Sequence, residues 1–361
     1  MAQQYTRIAV KIGSNVLTRK DGTLDVTRMS AITDQVAGLC KSGVEVILIS
    51  SGAVASGRSE IKTPRKLDSV DQRQLYSAVG QAKLINRYYE LFREHGIPVG
   101  QVLTTKENFG SRRHYLNQRN CMSVMLENGV IPIVNENDTI SVTELMFTDN
   151  DELSGLIAAM MDVQALIILS NIDGIYDGPP SDPDSKVIVE IKQGEDVSVY
   201  IQGGRSSFGR GGMQTKTNIA RKVADEGIAV IIANGKRDDI LIDLLNNPAH
   251  TLCTRFIPAT QSASSVKKWI SHSEGFAKGE IHINEQATEV VHNSDKAVSI
   301  LPVGVTQIEG DFEKDDIVRI VDYKGNRIGV GRCAYSSLQA RSLIGKHGKK
   351  PIVHYDYLCL E

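Results

Sequence analysis

Residues 44–57 read VEVILISSGAVASG, an aliphatic run that breaks at once into a Ser-Gly turn and a stretch of small residues. A strand with one wet face alternates apolar and polar side chains, whereas a nearly continuous aliphatic strand is covered on both faces. The same texture recurs. Residues 8–12 (IAVKI) read as a strand, and further strands are predicted at 98–103, 130–134, 165–170 and 228–233. Between the first two, Val26, Met29, Ile32, Val36, Leu39 and Cys40 fall on one face of a helix. Helical spacing returns near 70–95, 114–127, 150–161 and 213–226. Strands alternating with helices predict an α/β fold, a mostly parallel sheet sandwiched by helices. Ligands on such sheets bind in the loops at the carboxyl ends of the strands. Here those loops hold Lys11 to Gly13, Ser50 to Gly52, Asn135 to Asp138, and Ser170 with Asn171.

The texture changes near residue 250. Residues 251–269 (TLCTRFIPATQSASSVKKW) read as a connector with Pro and Ser, Trp269 being the only tryptophan of the chain, and the linker is placed at 259–276. From 277 the segments are short and β-like. Residues 317–321 and 327–331 flank the turn Tyr323 to Asn326 as a hairpin, and one helical stretch is expected near 336–345. The predicted organisation is an α/β domain at 1–258, the connector at 259–276, and a small mainly β domain at 277–361. A length of 361 residues suits two cores better than one. The formal charge of −2 argues against a chain built mainly to hold nucleic acid. Five scattered cysteines without a C-x-x-C pair suit reduced thiols rather than a disulfide framework or a zinc site. The first residues lack the apolar core of a secretion signal, and no apolar run approaches the ~18 residues of a membrane span. A cytoplasmic protein is expected.

No G-x-x-x-x-G-K-[ST], H-E-x-x-H or G-x-S-x-G occurs, so phosphate chemistry would need other parts. Gly209 to Lys216 (GRGGMQTK) is a flexible loop opening a predicted helix, where backbone N–H groups and the helix dipole favour an anion. A lysine in the first helical turn opposes the dipole unless a polyanion fills the gap. A solvated turn lysine is the plain alternative. Lys11, ending the first strand, reads either as a snorkelling edge residue or as a second cation in the same crevice. In Thr148 to Ser154 (TDNDELS), Asp149 or Asn150 suits a helix cap, and Asp151 suits a carboxylate holding two lysines that would otherwise repel. Asn135 to Asp138 reads either as a plain Asn/Asp-rich turn after a strand or as a functional loop in which Asp138 suits a substrate ammonium group, and Ser51 with Gly52 suits a carboxylate.

The order of these segments along the chain is VKIGSNVL, SSGAVASG, NENDTI, DNDELS, LSNIDGIY and GGMQTK. This series resembles the amino acid kinase family over about 5–258, and the later segment resembles a PUA domain. The resemblance implies a branch of that family that phosphorylates the side-chain carboxylate of free glutamate with ATP and Mg2+. The product would be L-glutamyl 5-phosphate, made in the first step of proline biosynthesis. It also implies roles for residues. Lys11 and Lys216 would balance charge on the transferred phosphoryl group, and Asp151 would orient them. Ser51, Asp138 and Asn150 would bind glutamate. Lys11, Ser170, Asn171 and the run Gly211, Gly212, Met213, Gln214, Thr215 and Lys216 would bind ATP. The family often has Asp at the position of Asn171 and Thr at that of Arg210. A homo-oligomer (dimer or tetramer), inhibition by proline, and handover of the unstable product to a glutamate-5-semialdehyde dehydrogenase are further implications.

Two rival readings stand beside this one. A kinase of the same fold acting on another small acid shares the crevice. An RNA-binding protein acting through its PUA domain is disfavoured, because residues 277–361 carry eleven Lys/Arg against twelve Asp/Glu.

Overall fold

The computed structural model describes residues 5–62, 67–110, 112–141, 147, 149–180, 182–197, 212–260, 265–271, 276–293 and 298–360. The described elements run β1 (Arg7–Ile12), α1 (Ser14–Leu17), α2 (Val26–Lys41), β2 (Glu45–Ser50), α3 (Ala53–Glu60), α4 (Ser69–Glu94) and β3 (Val99–Thr104). Then come α5 (Glu107–Gly110), α6 (Arg112–Glu127), β4 (Ile131–Glu136), α7 (Asn150–Met160), β5 (Ala165–Ser170), β6 (Glu190–Ile191), α8 (Met213–Asp225), β7 (Ala229–Asn234), α9 (Ile240–Asn246) and β8 (Thr254–Phe256). The chain ends with α10 (Ser265–Ser271), β9 (Gly279–Ile283), α11 (Glu285–Asn293), β10 (Val305–Gly310), β11 (Ile317–Val321), β12 (Arg327–Cys333), α12 (Ser337–Leu343) and β13 (Val353–Leu360).

Residues 1–106 with 117–262 form one compact unit. Its eight-stranded sheet has the order β3-β4-β2-β1-β5-β7-β8-β6, parallel from β3 through β7, with β8 antiparallel to β7. The parallel majority follows from the sequence pattern, because each helical crossover returns the chain in the same direction. Both sheet faces are dry. Ile8, Val10 and Ile12 of β1 pack with Met29, Ile32 and Val36 of α2 and Leu84, Tyr88 and Phe92 of α4. On the opposite face Ala9, Ile47 and Ile168 are buried, and α7 packs on β1, β2, β4 and β5 through an almost wholly buried helix. Each fully buried aliphatic side chain contributes about 1.5–3 kcal/mol.

Three short helices not expected from the pattern, α1, α3 and α9, and the short strands β6 and β8 complete this unit. Helices α3 and α4 cross closely at Gly57 and Gly80, where a Cβ would collide with the backbone of Tyr76 and of Ala53. That approach brings α4 to the carboxyl edge of the sheet.

Residues 263–361 with 107–116 form the second unit. Its five strands have the order β10-β9-β11-β12-β13, with β9 and β11 parallel and the other neighbours antiparallel. The hairpin at 317–333 is present. Instead of one helix beyond 277, the described residues hold two α-helices and a short 3-10 turn at Pro302–Gly304. Besides α12, with its Ser336–Gln339 capping box, α11 covers 285–293, where Ala287, Val291 and their neighbours carry a helical stripe too short to stand out. The stretch read as a connector contains α10. Its Trp269 is fully buried, donates from Nε1 to the Phe109 carbonyl at 2.7 Å, and stands 6.1 Å from the Tyr115 ring. Among the described residues no helix is long and apolar enough to cross a membrane.

Candidate active site

A cavity of about 720 Å3 opens at the carboxyl ends of β1, β2, β4 and β5. Lys11, next to last in β1, is in register with Ile49 of β2 and Ile168 of β5, so it stands on the central strand with neighbours on both sides. Its side chain is buried, and Nζ lies 2.5 Å from Asp151 Oδ1. The other oxygen of Asp151 accepts from Lys216 Nζ at 2.8 Å. Asp151 itself is 1% exposed. Burial alone would raise its carboxyl pKa, but the charges of Lys11 and then Lys216, with their hydrogen bonds, outweigh it and hold the group below the ordinary range. One carboxylate paired with two ammonium groups leaves these three residues with a net charge of about +1, which the neighbouring Asp149 offsets when it is ionised.

The local sequence explains this geometry. Asp149 caps α7, its Oδ1 accepting from the N–H groups of Asp151 and Glu152 at 2.8 and 3.1 Å. The cap fixes the first turn, which points Asp151 at Lys11. Asp149 Oδ2 is buried without a hydrogen-bond partner among the described residues. Burial, then the negative charge of Asp151, raises the Asp149 pKa to about 6, against the opposing pull of Lys11, a backbone N–H and Lys216. Helix α8 begins at Met213 with Gly212 as its N-cap, a residue that has no side chain to cap the first turn.

Below this head lies a polar floor. Asn150 Nδ2 donates to Ser51 Oγ at 2.9 Å and to Asn135 Oδ1 at 3.0 Å, and Asn135 Nδ2 donates to Gln81 Oε1 at 2.9 Å. Asp138 is paired with Arg73. The guanidinium donates from Nε to Asp138 Oδ1 at 2.6 Å, and from Nη2 both to that oxygen and, at 2.9 Å, to Glu136 Oε2. Ser77 Oγ adds a bond to Asp138 Oδ2 at 3.2 Å. Burial, followed by the Asp138 charge, pushes the Glu136 carboxyl up to about 7, with Arg73 and the Phe147 N–H opposing. Two carboxylates share one guanidinium, so the floor remains negative when both are ionised.

Lys11, Ser51, Asp138, Asn150, Asp151, Ser170, Asn171, Gly212, Met213 and Lys216 all line this cavity. Gln214 is exposed on α8 and bonds Asn218 at 3.0 Å, and neither it nor Thr215 is among the lining residues. Gly211 and Arg210 lie outside the described residues. Sequence reading missed Arg73, Ser77, Gln81 and Glu136. The first three sit four apart on one face of α4, a polar stripe on a helix side that the sheet should bury, and that spacing was the available signal.

A parallel sheet with a two-lysine head and an uncapped helix at its carboxyl edge defines a phosphoryl-transfer fold without a P-loop. Residues 6–234 match the amino acid kinase family and residues 279–355 match the PUA domain, and the chain belongs to the amino acid kinase family. It is similar to the glutamate 5-kinase of Bacteroides thetaiotaomicron, 78% identical over all 361 residues and 100% of both chains. It is also similar to the glutamate 5-kinase of Chlorobaculum tepidum, at 46% identity over 99% of this chain and 98% of that one. Among solved structures, the T. acidophilum isopentenyl phosphate kinase product complex covers 70% of this chain and 100% of its own at TM-score 0.50 and 15% identity, a likeness of fold alone.

Proposed function

We propose that this chain is a glutamate 5-kinase, transferring the γ-phosphoryl group of ATP to the side-chain carboxylate of free L-glutamate. The single observation that carries the reading is the Lys11–Asp151–Lys216 arrangement facing a negative floor at Asp138, within one cavity, in a chain closely similar to glutamate 5-kinases. The positive head suits the triphosphate, and the floor suits a free ammonium group. Ser51 and Asn150 suit the substrate's α-carboxylate, while Ser170, Asn171, Gly212 and Met213 suit the nucleotide. Gly211, Gln214 and Thr215 belong to the same nucleotide proposal through the segment that they share.

The chemistry is an in-line displacement. A glutamate side-chain oxygen forms the new bond to phosphorus, the bond from phosphorus to the bridging oxygen breaks, and ADP leaves with that electron pair. A carboxylate is already ionised at neutral pH, so no general base is needed. Lys11 and Lys216 neutralise charge on the moving group, and Asp151 keeps both ammonium groups at hydrogen-bond distance without allowing them to part. Magnesium would supply further neutralisation on the ATP phosphates and needs few protein ligands, and Asp149 Oδ2, buried and without a partner among the described residues, is the carboxylate oxygen that would hold it.

Incubation with ATP and hydroxylamine tests the assignment, because hydroxylamine traps acyl phosphates as hydroxamates. Glutamate should give strong hydroxamate formation, and aspartate and N-acetylglutamate little. Preference for N-acetylglutamate would sink the reading, since an acylated amine has no charge for Asp138 to meet. Assembly into a dimer or tetramer, inhibition by proline and handover of the acyl phosphate to a glutamate-5-semialdehyde dehydrogenase belong to the same proposal. Light scattering on the eluted protein and assays with added proline test the first two.

A further inference from the structure

The second unit carries a cluster of side chains that the kinase chemistry leaves unused. Along β9 the residues alternate between buried and half-buried, so Glu280 and His282 share the outer face of the sheet. Glu309 of β10 is the direct cross-strand partner of Glu280. Like charges placed directly opposite one another are destabilising, unless a cation stands between them.

The neighbours hold these carboxylates in place. Arg319, in register with Glu280 on the other side, donates to Glu280 Oε1 at 3.2 Å, and Oε2 is the oxygen on the His282 side. Gln307 Nε2 donates to Glu309 Oε1 at 2.8 Å. Between the two acids, the Nε2 atom of the half-buried His282 is shielded from solvent and has no hydrogen-bond partner among the described residues. It lies 3.8 Å from Glu280 Oε2 and 3.5 Å from Glu309 Oε1, and one ligand atom from each of the three residues falls within 4.8 Å of the others.

Those separations are informative. A hydrogen bond from the ring nitrogen would need about 2.7–3.2 Å. Tetrahedral zinc, with bonds of about 2.0–2.2 Å, holds its ligand atoms about 3.3–3.6 Å apart. The nitrogen is too distant from either oxygen to bond it, and its separation from Glu309 Oε1, 3.5 Å, is the one that such an ion imposes, while that from Glu280 Oε2, 3.8 Å, is slightly wider. One imidazole with two carboxylates suits zinc better than magnesium or calcium, which take oxygen ligands. We propose that Glu280, His282 and Glu309 form a binding site for a divalent transition metal ion of the zinc class on the outer face of the PUA-domain sheet. Water would complete the tetrahedron. Arg319 and Gln307 orient the two carboxylates, and the ion ties β9 to β10.

The competing occupant is a proton on His282, giving an imidazolium between two glutamates. Zinc titration of the full chain, untagged and stripped with EDTA, separates the two. Competition with a chromophoric chelator should show one zinc bound per chain, weakened in His282→Ala and in the more conservative Glu309→Gln by more than the roughly 10–100-fold that losing an outer-shell partner costs. Zinc should raise the thermal midpoint of the unsubstituted chain and not that of either variant. ATP-dependent turnover should be the same in all three proteins. Equal zinc uptake by the unsubstituted chain and both variants would place the ion elsewhere, on Cys121 for example, and overturn the site. No uptake at all would leave His282 to the proton and overturn it equally.

Discussion

Asp151 Oδ2 accepts from Lys216 at 2.8 Å, although the two residues stand 65 apart in the chain, in the first turns of two different helices. Both turns present positive backbone charge to the same point, which suits Asp151 and opposes Lys216. The lysine is held there by the carboxylate, and under the proposed function the ATP phosphates are its second partner. Asp151→Asn keeps the shape and removes the charge that restrains two ammonium groups. The expected loss in kcat is about 10²–10³-fold. Breaking a buried pair in this way also costs about 3–5 kcal/mol when the remaining charge stays buried, and less if Lys216 swings into solvent. Turnover measured beside a thermal melt checks both parts, and near-normal kcat would remove Asp151 from the phosphoryl-transfer machinery.

Lys11→Ala and Lys216→Ala should each lower kcat by about 10²–10³-fold, the usual scale for one contact made to transition-state charge. The KM for glutamate should move less than kcat if the lysines act on the moving phosphoryl group. Steady-state kinetics with both substrates varied will show the split. A large rise in glutamate KM at unchanged kcat would instead put the lysine at the acceptor.

Glu136 predicts a slope in stability with pH. Its carboxyl rises from an ordinary 4.5 to about 7 on folding, so the native chain binds more protons than the unfolded one across that interval. Stability from this group is therefore complete below about 4.5 and is lost as pH climbs toward 7. Asp149, raised from 3.8 to about 6, acts in the same direction, while the lowered Asp151 acts oppositely and gives stability that disappears in acid. Glu136→Gln should remove its own share. Urea midpoints at pH 5 and pH 8 should show the variant gaining on the unsubstituted chain at the higher pH. Parallel behaviour of the two proteins would mean that Glu136 ionises normally.

The sheet was legible because its signal is local. The aliphatic runs at 8–12, 44–50 and 165–170 are buried on both faces and admit no other reading, and their polar ends gave Lys11, Ser51 and Ser170. Asp151 was legible as the acid between two lysines because it shares a short polar run with the cap Asp149. Arg73 was harder to read, since one of three arginines in a 26-residue helix looks like surface until the fold sets it beside Asp138, 65 residues away. The same limit applies to α11 and α10. A helix of seven or nine residues offers two turns of pattern, and its burial is decided by tertiary contact rather than propensity.

The final prediction concerns the C-terminal region. The residues proposed for catalysis lie at or before Lys216, so a chain ended near Pro258 should retain ATP- and glutamate-dependent turnover once folded. It should also be less stable than that simple division suggests. Trp269 is packed on Tyr115 and bonded to the Phe109 carbonyl, with the Arg112 guanidinium 5.1 Å from its ring. Ending at 258 deletes that indole and leaves Phe109 and Tyr115 uncovered. Replacing a buried tryptophan with alanine costs about 3–5 kcal/mol, and losing the whole helix that carries it should cost no less. A chain extended to residue 276 keeps α10 and should recover part of the loss, with a higher thermal midpoint and less self-association than the shorter one. Kinetics on both shortened chains, with circular dichroism for folding and size-exclusion chromatography for association, make the comparison. A folded, monodisperse but inactive 1–276 chain would show that the C-terminal region contributes to the chemistry itself.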